Sequence, residues 1–141
     1  PWFKLSAYAL ILLRDSGVPC VFWGDLLGNG DSLPAVSELP FLMRVRKAAA
    51  QGPQFDAFDD PDVVGFSRQG IEGDPSTGCA VILSDRLAGE KRLFLGNWRA
   101  GETWVCAIGE HPAVVIEEDG WATFPVADGG LSVYLPEAAR L

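Results

Sequence analysis

Asp62 and Asp85 are the residues whose type and spacing point most directly to chemistry. The β-rich runs 62–68 and 79–85 flank a polar, glycine-bearing loop, 69–78, as the two arms of a hairpin do. With Arg68 opposite Cys79 at the loop end, the pairing carries back along both arms until Asp62 faces Asp85. Two like charges facing across a ladder destabilise it unless something neutralises them. A hard cation does so, and calcium takes carboxylates and backbone carbonyls together. The alternative is a pair of strand-end aspartates in water, paired with Arg68 or Arg86. A denser acidic run, Asp56, Asp59, Asp60 and Asp62, lacks the spacing of an EF-hand loop and reads as a solvated edge. The remaining candidates for catalysis are poor. The single His111, in Glu110-His111-Pro112, reads as a turn residue. Ser16 and Ser32 stand near no other His or Cys, so no nucleophilic triad is indicated. Gly28-Asn29-Gly30 lacks the Lys and spacing of a phosphate loop. No catalytic residue is assigned to this chain.

The elements that position these residues change character along the chain. Leu5, Tyr8, Leu12 and Leu13 follow helical spacing, with Ser16-Gly17 as the stop and Pro19 just beyond. Residues 18–23 are apolar on both faces, as a buried parallel strand is. Residues 24–33 read as a loop. A second helix is expected over 35–50, ended by Gly52-Pro53. Pro34 suits its first turn, and Pro40 marks a bend or a later start. From 54 onward short β-rich runs recur between turn residues, at 54–58, 62–68, 79–85, 92–96, 102–108, 113–117, 121–126 and 131–135. This rhythm indicates an antiparallel sandwich or barrel. Asp128-Gly129-Gly130 supplies a tight turn before the last run. The boundary between the two regimes falls at 51–53.

Composition narrows the partners. The chain has 141 residues, 48% of them apolar, which is enough for a packed core. A net charge of −8 excludes nucleic acid as a natural partner. No apolar stretch reaches bilayer-spanning length, so no membrane partner is expected. Pro1-Trp2-Phe3-Lys4 is not a signal-peptide start, and the chain reads as a fragment. Cys20, Cys79 and Cys106 each sit in an apolar, strand-like run. They read as buried free thiols, which favours a reducing compartment and hence a cytoplasmic location. Trp98, Trp104 and Trp121 are candidates for a sugar platform, with structural packing as the competing role. Trp104 alternates in register with Cys106 and Ile108 and belongs to the core. Trp121 is opposite in phase to Ala122, Phe124 and Val126 and is expected to be the more exposed.

The run Gly17-Val18-Pro19-Cys20-Val21-Phe22-Trp23-Gly24-Asp25 resembles the eighth-strand motif of the catalytic barrel in α-amylases of glycoside hydrolase family 13. The likeness is to the bacterial liquefying and fungal intracellular types, with Trp23 where Tyr is usual. It continues in order through Arg46-Lys47, Asp59-Asp60-Pro61-Asp62-Val63-Val64-Gly65-Phe66, Ala100-Gly101-Glu102-Thr103-Trp104 and Glu118-Asp119-Gly120-Trp121, and so covers nearly the whole chain. The resemblance implies a mixed fold. Residues 1–51 would be the last strand and helices of a (β/α)8 TIM barrel, and 52–141 an all-β Greek-key antiparallel sandwich. It implies retaining hydrolysis of internal α-1,4 bonds in starch or glycogen, with the catalytic carboxylates upstream of Pro1 and this segment inactive alone. Trp23, Gly24 and Asp25 would end a barrel strand on the face where substrates bind. Packing of Trp23 between barrel and helix, and loop capping by Asp25, are the competing roles. Calcium would lie between barrel and β-domain, held by Asp62, Asp85 and the carbonyl of Pro61, which replaces the usual His. Its other ligands would come from the rest of the catalytic barrel, the second partner besides α-glucan. An α-glucanotransferase of the same fold and a non-catalytic carbohydrate-binding module are the alternatives.

Overall fold

The stretch Cys79-Ala80-Val81-Ile82-Leu83-Ser84 is apolar at all but its last position, so a strand here must bury both faces. In the computed structural model, which describes residues 3–28, 30 and 34–141, it does. Strand β3 (Cys79–Ser84) is buried along its whole length. Cys79, Val81 and Leu83 point to one core, and Ala80 and Ile82 to the other. Around it lies an antiparallel six-stranded sheet. Its order is β1 (Gln54–Ala57), β2 (Val63–Arg68), β3, β8 (Leu131–Pro136), β5 (Thr103–Ile108) and β6 (Val114–Val115). The remaining strands, β4 (Gly89–Phe94) and β7 (Trp121–Val126), pair only with each other.

Helices α1 (Lys4–Leu13) and α3 (Leu39–Ala48) cover one face of the large sheet, and a short helix, α2 (Trp23–Leu27), lies beside them. Leu12, Leu13, Leu39, Leu42 and Val45 share a core with Phe66, Val81, Val133 and Leu135. On the opposite face Ile82, Trp104 and Tyr134 meet Leu93, Phe124 and Val126 of the two-stranded sheet. Each large apolar side chain fully removed from water contributes roughly 1.5–3 kcal/mol, so these cores are the main source of stability. Polar ties fix the helices on the sheet. The last carbonyls of α1 have no partner within the helix. Arg46 Nη1 donates to the Leu12 carbonyl at 2.6 Å and Arg68 Nη1 to that of Leu13 at 3.1 Å.

Arg99 is the largest polar side chain in the interior and has no exposed surface. Its Nε donates to Glu102 Oε1 at 2.8 Å. Its Nη1 donates to the carbonyls of Gln69, at 3.0 Å, and Thr77, and its Nη2 to that of Pro75, at 3.0 Å. The indoles of Trp98 and Trp104 stack against it, with centroids 4.4 and 4.8 Å from Cζ. Burial pulls the guanidinium below its usual pKa, and Glu102 opposes that pull. Gly78 makes room for this group. Its φ is +108°, and a Cβ there would come within 2.5 Å of Arg99 Nη1.

Among the described residues eight strands form, each within the span of an expected run or within a few residues of it. Four expectations are corrected. Residues 24–27, read as loop, belong to helix α2. The second helix begins at Leu39 rather than 35, so that Pro40 sits in its first turn, where no backbone donor is needed. Residues 18–22 form no strand, because no described segment pairs with them and the Phe22 N–H goes to the Tyr8 hydroxyl at 3.1 Å instead of to a ladder. For the same reason Cys20 is exposed. All three cysteines are free, with Cys79 buried and Cys106 half-buried. Burial pushes the Cys79 thiol up to about 12, so it is inert at neutral pH.

Replacing Arg99 by Leu leaves three loop carbonyls and Glu102 facing the cavity of a lost guanidinium. The Arg99→Leu variant is expected to lose about 3–5 kcal/mol of stability in urea unfolding. An unchanged midpoint would show that the loop holds itself.

Candidate functional site

The hairpin register is the expected one: Val63 pairs with Ser84 and Arg68 with Cys79. One step beyond the ladder, the Asp85 N–H donates to the Asp62 carbonyl at 3.2 Å. The two aspartates therefore sit side by side at the open end of the hairpin, both exposed. Neither makes an ion pair among the described residues. Arg68 is committed to the carbonyls of Gly52 and Leu13, so it is not the partner. The Asp62 N–H donates to Asp60 Oδ1 at 2.9 Å, which fixes the turn that presents Pro61. Pro61, Asp62 and Asp85 line a hollow of about 240 Å³, closed on its other side by Phe3 and Leu10 of the first helical segment. The site thus lies at the junction between α1 and the sheet. Its donors are hard oxygens, the chemistry that suits calcium. They are too few to hold the ion alone: among the described residues no group of three or more His, Cys, Asp or Glu side chains converges anywhere.

Trp23, Gly24 and Asp25 behave as three different residues. They open the five-residue helix α2, which follows directly on the extended Phe22. Trp23 stands in solvent, 70% exposed. Gly24 and Asp25 are buried. Asp25 turns inward, where Lys4 Nζ donates to its Oδ1 at 2.7 Å and the Tyr8 hydroxyl to its Oδ2 at 2.6 Å. The Asp25 carbonyl accepts from Val36 at 2.7 Å. These bonds, that from Lys4 first and that from Tyr8 next, hold the Asp25 carboxyl below its usual pKa of 3.8. Tyr8 is raised in turn, chiefly by its bond to Asp25. Asp25 therefore anchors the turn, and Trp23 is the side chain that the turn presents. Asn29 and Ser32 lie outside the described residues.

The acidic edge is solvated as expected, with Arg14 on Asp56 at 3.0 Å and Lys91 on Asp59 at 3.1 Å. Trp104 is core. Trp121 is half-buried and thus more exposed than Trp104, as its phase predicts, yet its ring is packed on several sides. Phe55 meets it edge-on at 5.1 Å, Phe94 packs at 5.4 Å, and Arg92 covers it at 5.0 Å. Sequence reasoning missed Lys4, Tyr8 and Arg99. The signal for Arg99 was local: a tryptophan on one side of it, and Glu102 and Trp104 on the other, in Trp98-Arg99-Ala100-Gly101-Glu102-Thr103-Trp104. Lys4 and Tyr8 carry only their one-turn spacing on α1.

No family model matches the chain. An α-amylase of Bacillus licheniformis is 41% identical over 140 residues, which cover 95% of this chain and 27% of the relative. The cytoplasmic α-amylase of Escherichia coli (strain K12) is 40% identical over 150 residues, covering 97% of this chain and 30% of the relative. In these relatives the matched region is the C-terminal part. The chain thus spans less than a third of the length of the curated relatives it matches. Among solved structures, an α-amylase of Anoxybacillus has the same fold over 79% of this chain and 24% of its own, with a TM-score of 0.55 and 12% identity.

The Lys4–Tyr8–Asp25 cluster stabilises the folded state only while Asp25 is ionised. Its contribution is present above the carboxyl's unfolded pKa and is lost as pH falls through the lower folded value. The Tyr8→Phe variant lacks one of the bonds that depress Asp25. Its acid-unfolding transition, followed by circular dichroism, is expected at higher pH than wild type. A coincident transition would mean that Asp25 does not control it.

Proposed function

We propose that the chain is the C-terminal part of an α-amylase of glycoside hydrolase family 13 and completes an enzyme that hydrolyses internal α-1,4 bonds of starch or glycogen with retention. The observation that carries this reading is the extent of the match: 41% identity over 140 residues, which cover 95% of this chain and so both the helical segment and the strands. In this reading residues 1–51 close the catalytic barrel. The apolar run 18–23 finds its neighbours there as the eighth strand, and 52–141 form the Greek-key domain that covers the barrel's apolar side. A cytoplasmic location is supported by the named location of the Escherichia coli relative. No helix among the described residues is long and apolar enough to cross a membrane.

The division of labour follows from the side chains. Retention needs two carboxyl groups about 5–5.5 Å apart across the scissile bond. The one buried carboxylate near the substrate-facing turn, Asp25, is committed to Lys4 and Tyr8. The carboxylates that act on the sugar therefore come from the rest of the barrel. Trp23 supplies an exposed aromatic face on a turn that Asp25 holds in place, suited to stacking on a glucose ring that borders the cleft. Calcium, when bound, offsets the mutual repulsion of Asp62 and Asp85. The residues that would hold it are these two carboxylates and the Pro61 carbonyl. Barrel groups would complete the six to eight oxygens that calcium takes.

Two outcomes test this reading. The protein extended through the upstream coding region is expected to release α-configured maltooligosaccharides from soluble starch, whereas the 141-residue chain releases none. Activity in the shorter chain would move the catalytic groups into it, and products longer than the substrate would make the enzyme a glucanotransferase. In the extended protein, calcium at a hundredfold excess over its Kd is expected to raise the unfolding free energy by about 2.7 kcal/mol. The Asp62→Ala variant should lose that gain. Equal stabilisation of both proteins would place calcium elsewhere.

A further inference from the structure

The loops at the far end of β2 from Asp62 enclose a second hollow, of about 470 Å³, that the proposed catalytic reading does not use. Six residues of strand separate it from the calcium candidate, roughly 20 Å at the usual rise. Its wall is Trp98, half-buried in the turn Asn97–Arg99. One face of the indole rests on the Arg99 guanidinium, which is sandwiched against Trp104 behind it and bonded to three loop carbonyls. The ring is therefore held rigidly, and a ligand can meet only its other face. Gly96, itself buried, lets the pyrrole edge of the indole pack directly on the backbone. A Cβ there would lie 3.2 Å from the Trp98 Cδ1 and Nε1 atoms and 3.5 Å from Gln69 Oε1. An indole N–H and an amide oxygen thus overhang the same spot. Asn97 and Glu72 complete the rim. Among the described residues, the side chains of Gln69, Glu72 and Asn97 and the indole N–H of Trp98 have no hydrogen-bond partner.

A pinned aromatic face ringed by unengaged amides and one carboxylate matches a particular chemistry. It suits a ring with an apolar C–H face and hydroxyls around its edge. The one charged group on the rim is an anion, on a chain of net charge −8, so phosphorylated and other anionic ligands are disfavoured. Trp121 offers no equivalent, since Phe55, Phe94 and Arg92 occupy its surfaces. We propose that the Trp98 hollow is a second carbohydrate-binding site, for a short stretch of neutral α-glucan, remote from the hydrolytic cleft. The choice of an α-glucan among neutral sugars rests on the proposed function; the presence of a sugar site rests on the hollow itself.

The test is native affinity electrophoresis of the full 141-residue chain in gels containing soluble starch. The wild type is expected to be retarded. Trp98→Ala should weaken the interaction about tenfold, the scale of one lost aromatic contact. Because Trp98→Ala also uncovers Arg99, the double variant Gln69→Ala/Asn97→Ala provides a second reading with the stack intact. It should lose retardation several-fold while keeping the wild-type urea midpoint, and Trp121→Ala should migrate as wild type does. An unretarded wild type, or equal retardation of wild type, Trp98→Ala and the double variant, would overturn the site. Retardation that depends on Trp98 in hydroxyethylcellulose gels but not in starch gels would overturn the α-glucan assignment. Binding is read here without turnover, so failure of this site is distinguishable from failure of the hydrolase reading, which the extended protein's activity decides.

Discussion

The buried guanidinium of Arg99 is the interaction on which the β-domain depends. An unpaired charge in that position would be strongly destabilising, and the structure tolerates it because four of the five guanidinium N–H groups are bonded and one of the acceptors is a carboxylate. Glu102 balances the charge, carbonyls of the 69–78 loop take three more donors, and two indoles pack against the group. Glu102 Oε1 also accepts from Trp104 Nε1 at 3.1 Å, so the pair and its aromatic walls are one network. The consequence reaches beyond the loop. The 69–78 segment closes the β2–β3 hairpin, and its length and shape set which residue of one arm faces which of the other. A slip by one residue would turn Phe66 and Val81 away from the helical core and would separate Asp62 from Asp85. One cation therefore holds the register that gives the domain its double-faced central strand.

The helical layer is attached differently. With ten residues, α1 is too short to be stable as an isolated helix. Its apolar side shares a core with the sheet, while its polar ends are claimed by groups from elsewhere in the chain. Arg46 and Arg68 take the Leu12 and Leu13 carbonyls, and Asp25 takes Lys4 and Tyr8 from the opposite end. The Phe22 N–H closes on the same Tyr8 hydroxyl. Tyr8 thus donates a hydrogen bond to Asp25 and accepts one from the backbone, which pins the turn carrying Trp23 to the helix. Exposure of Trp23 beside a buried Asp25 follows from that exchange.

The strands after residue 54 are legible in the sequence because each carries its own evidence: apolar spacing of period two and a turn residue at each end. The Asp62–Asp85 juxtaposition is legible for a further reason, since a hairpin's register follows from its loop ends alone. Residues 18–22 read wrongly because an apolar run states that a segment is to be buried and not what it is to be buried against. In the structure Val18 is 93% exposed, and the Phe22 donor is satisfied by a side chain. Arg99 was missed because a single arginine in a glycine-bearing turn has the composition of surface, its flanking Trp98, Glu102 and Trp104 being the one local signal. Its burial depends on carbonyls some twenty to thirty positions earlier in the chain. Trp121 had the phase of an outward residue, but β1 supplies Phe55 from another sheet to cover it.

The β2–β3 hairpin therefore carries its polar chemistry at its ends, for a physical reason. Between Val63 and Arg68 the strand is flanked by helices on one face and the β4–β7 pair on the other, so only apolar or fully bonded groups fit there. Charged and unpaired polar groups are displaced to the two ends. At one end the ladder stops with two carboxylates side by side beside α1, both exposed to water. At the other, Arg99 holds Trp98 upright over a glycine floor, with amides left unbonded around it. The two ends differ in what they offer. The carboxylate end offers two carboxylates and a carbonyl, whereas the Trp98 end is built within residues 53–104, with Arg99 and Trp104 backing the ring.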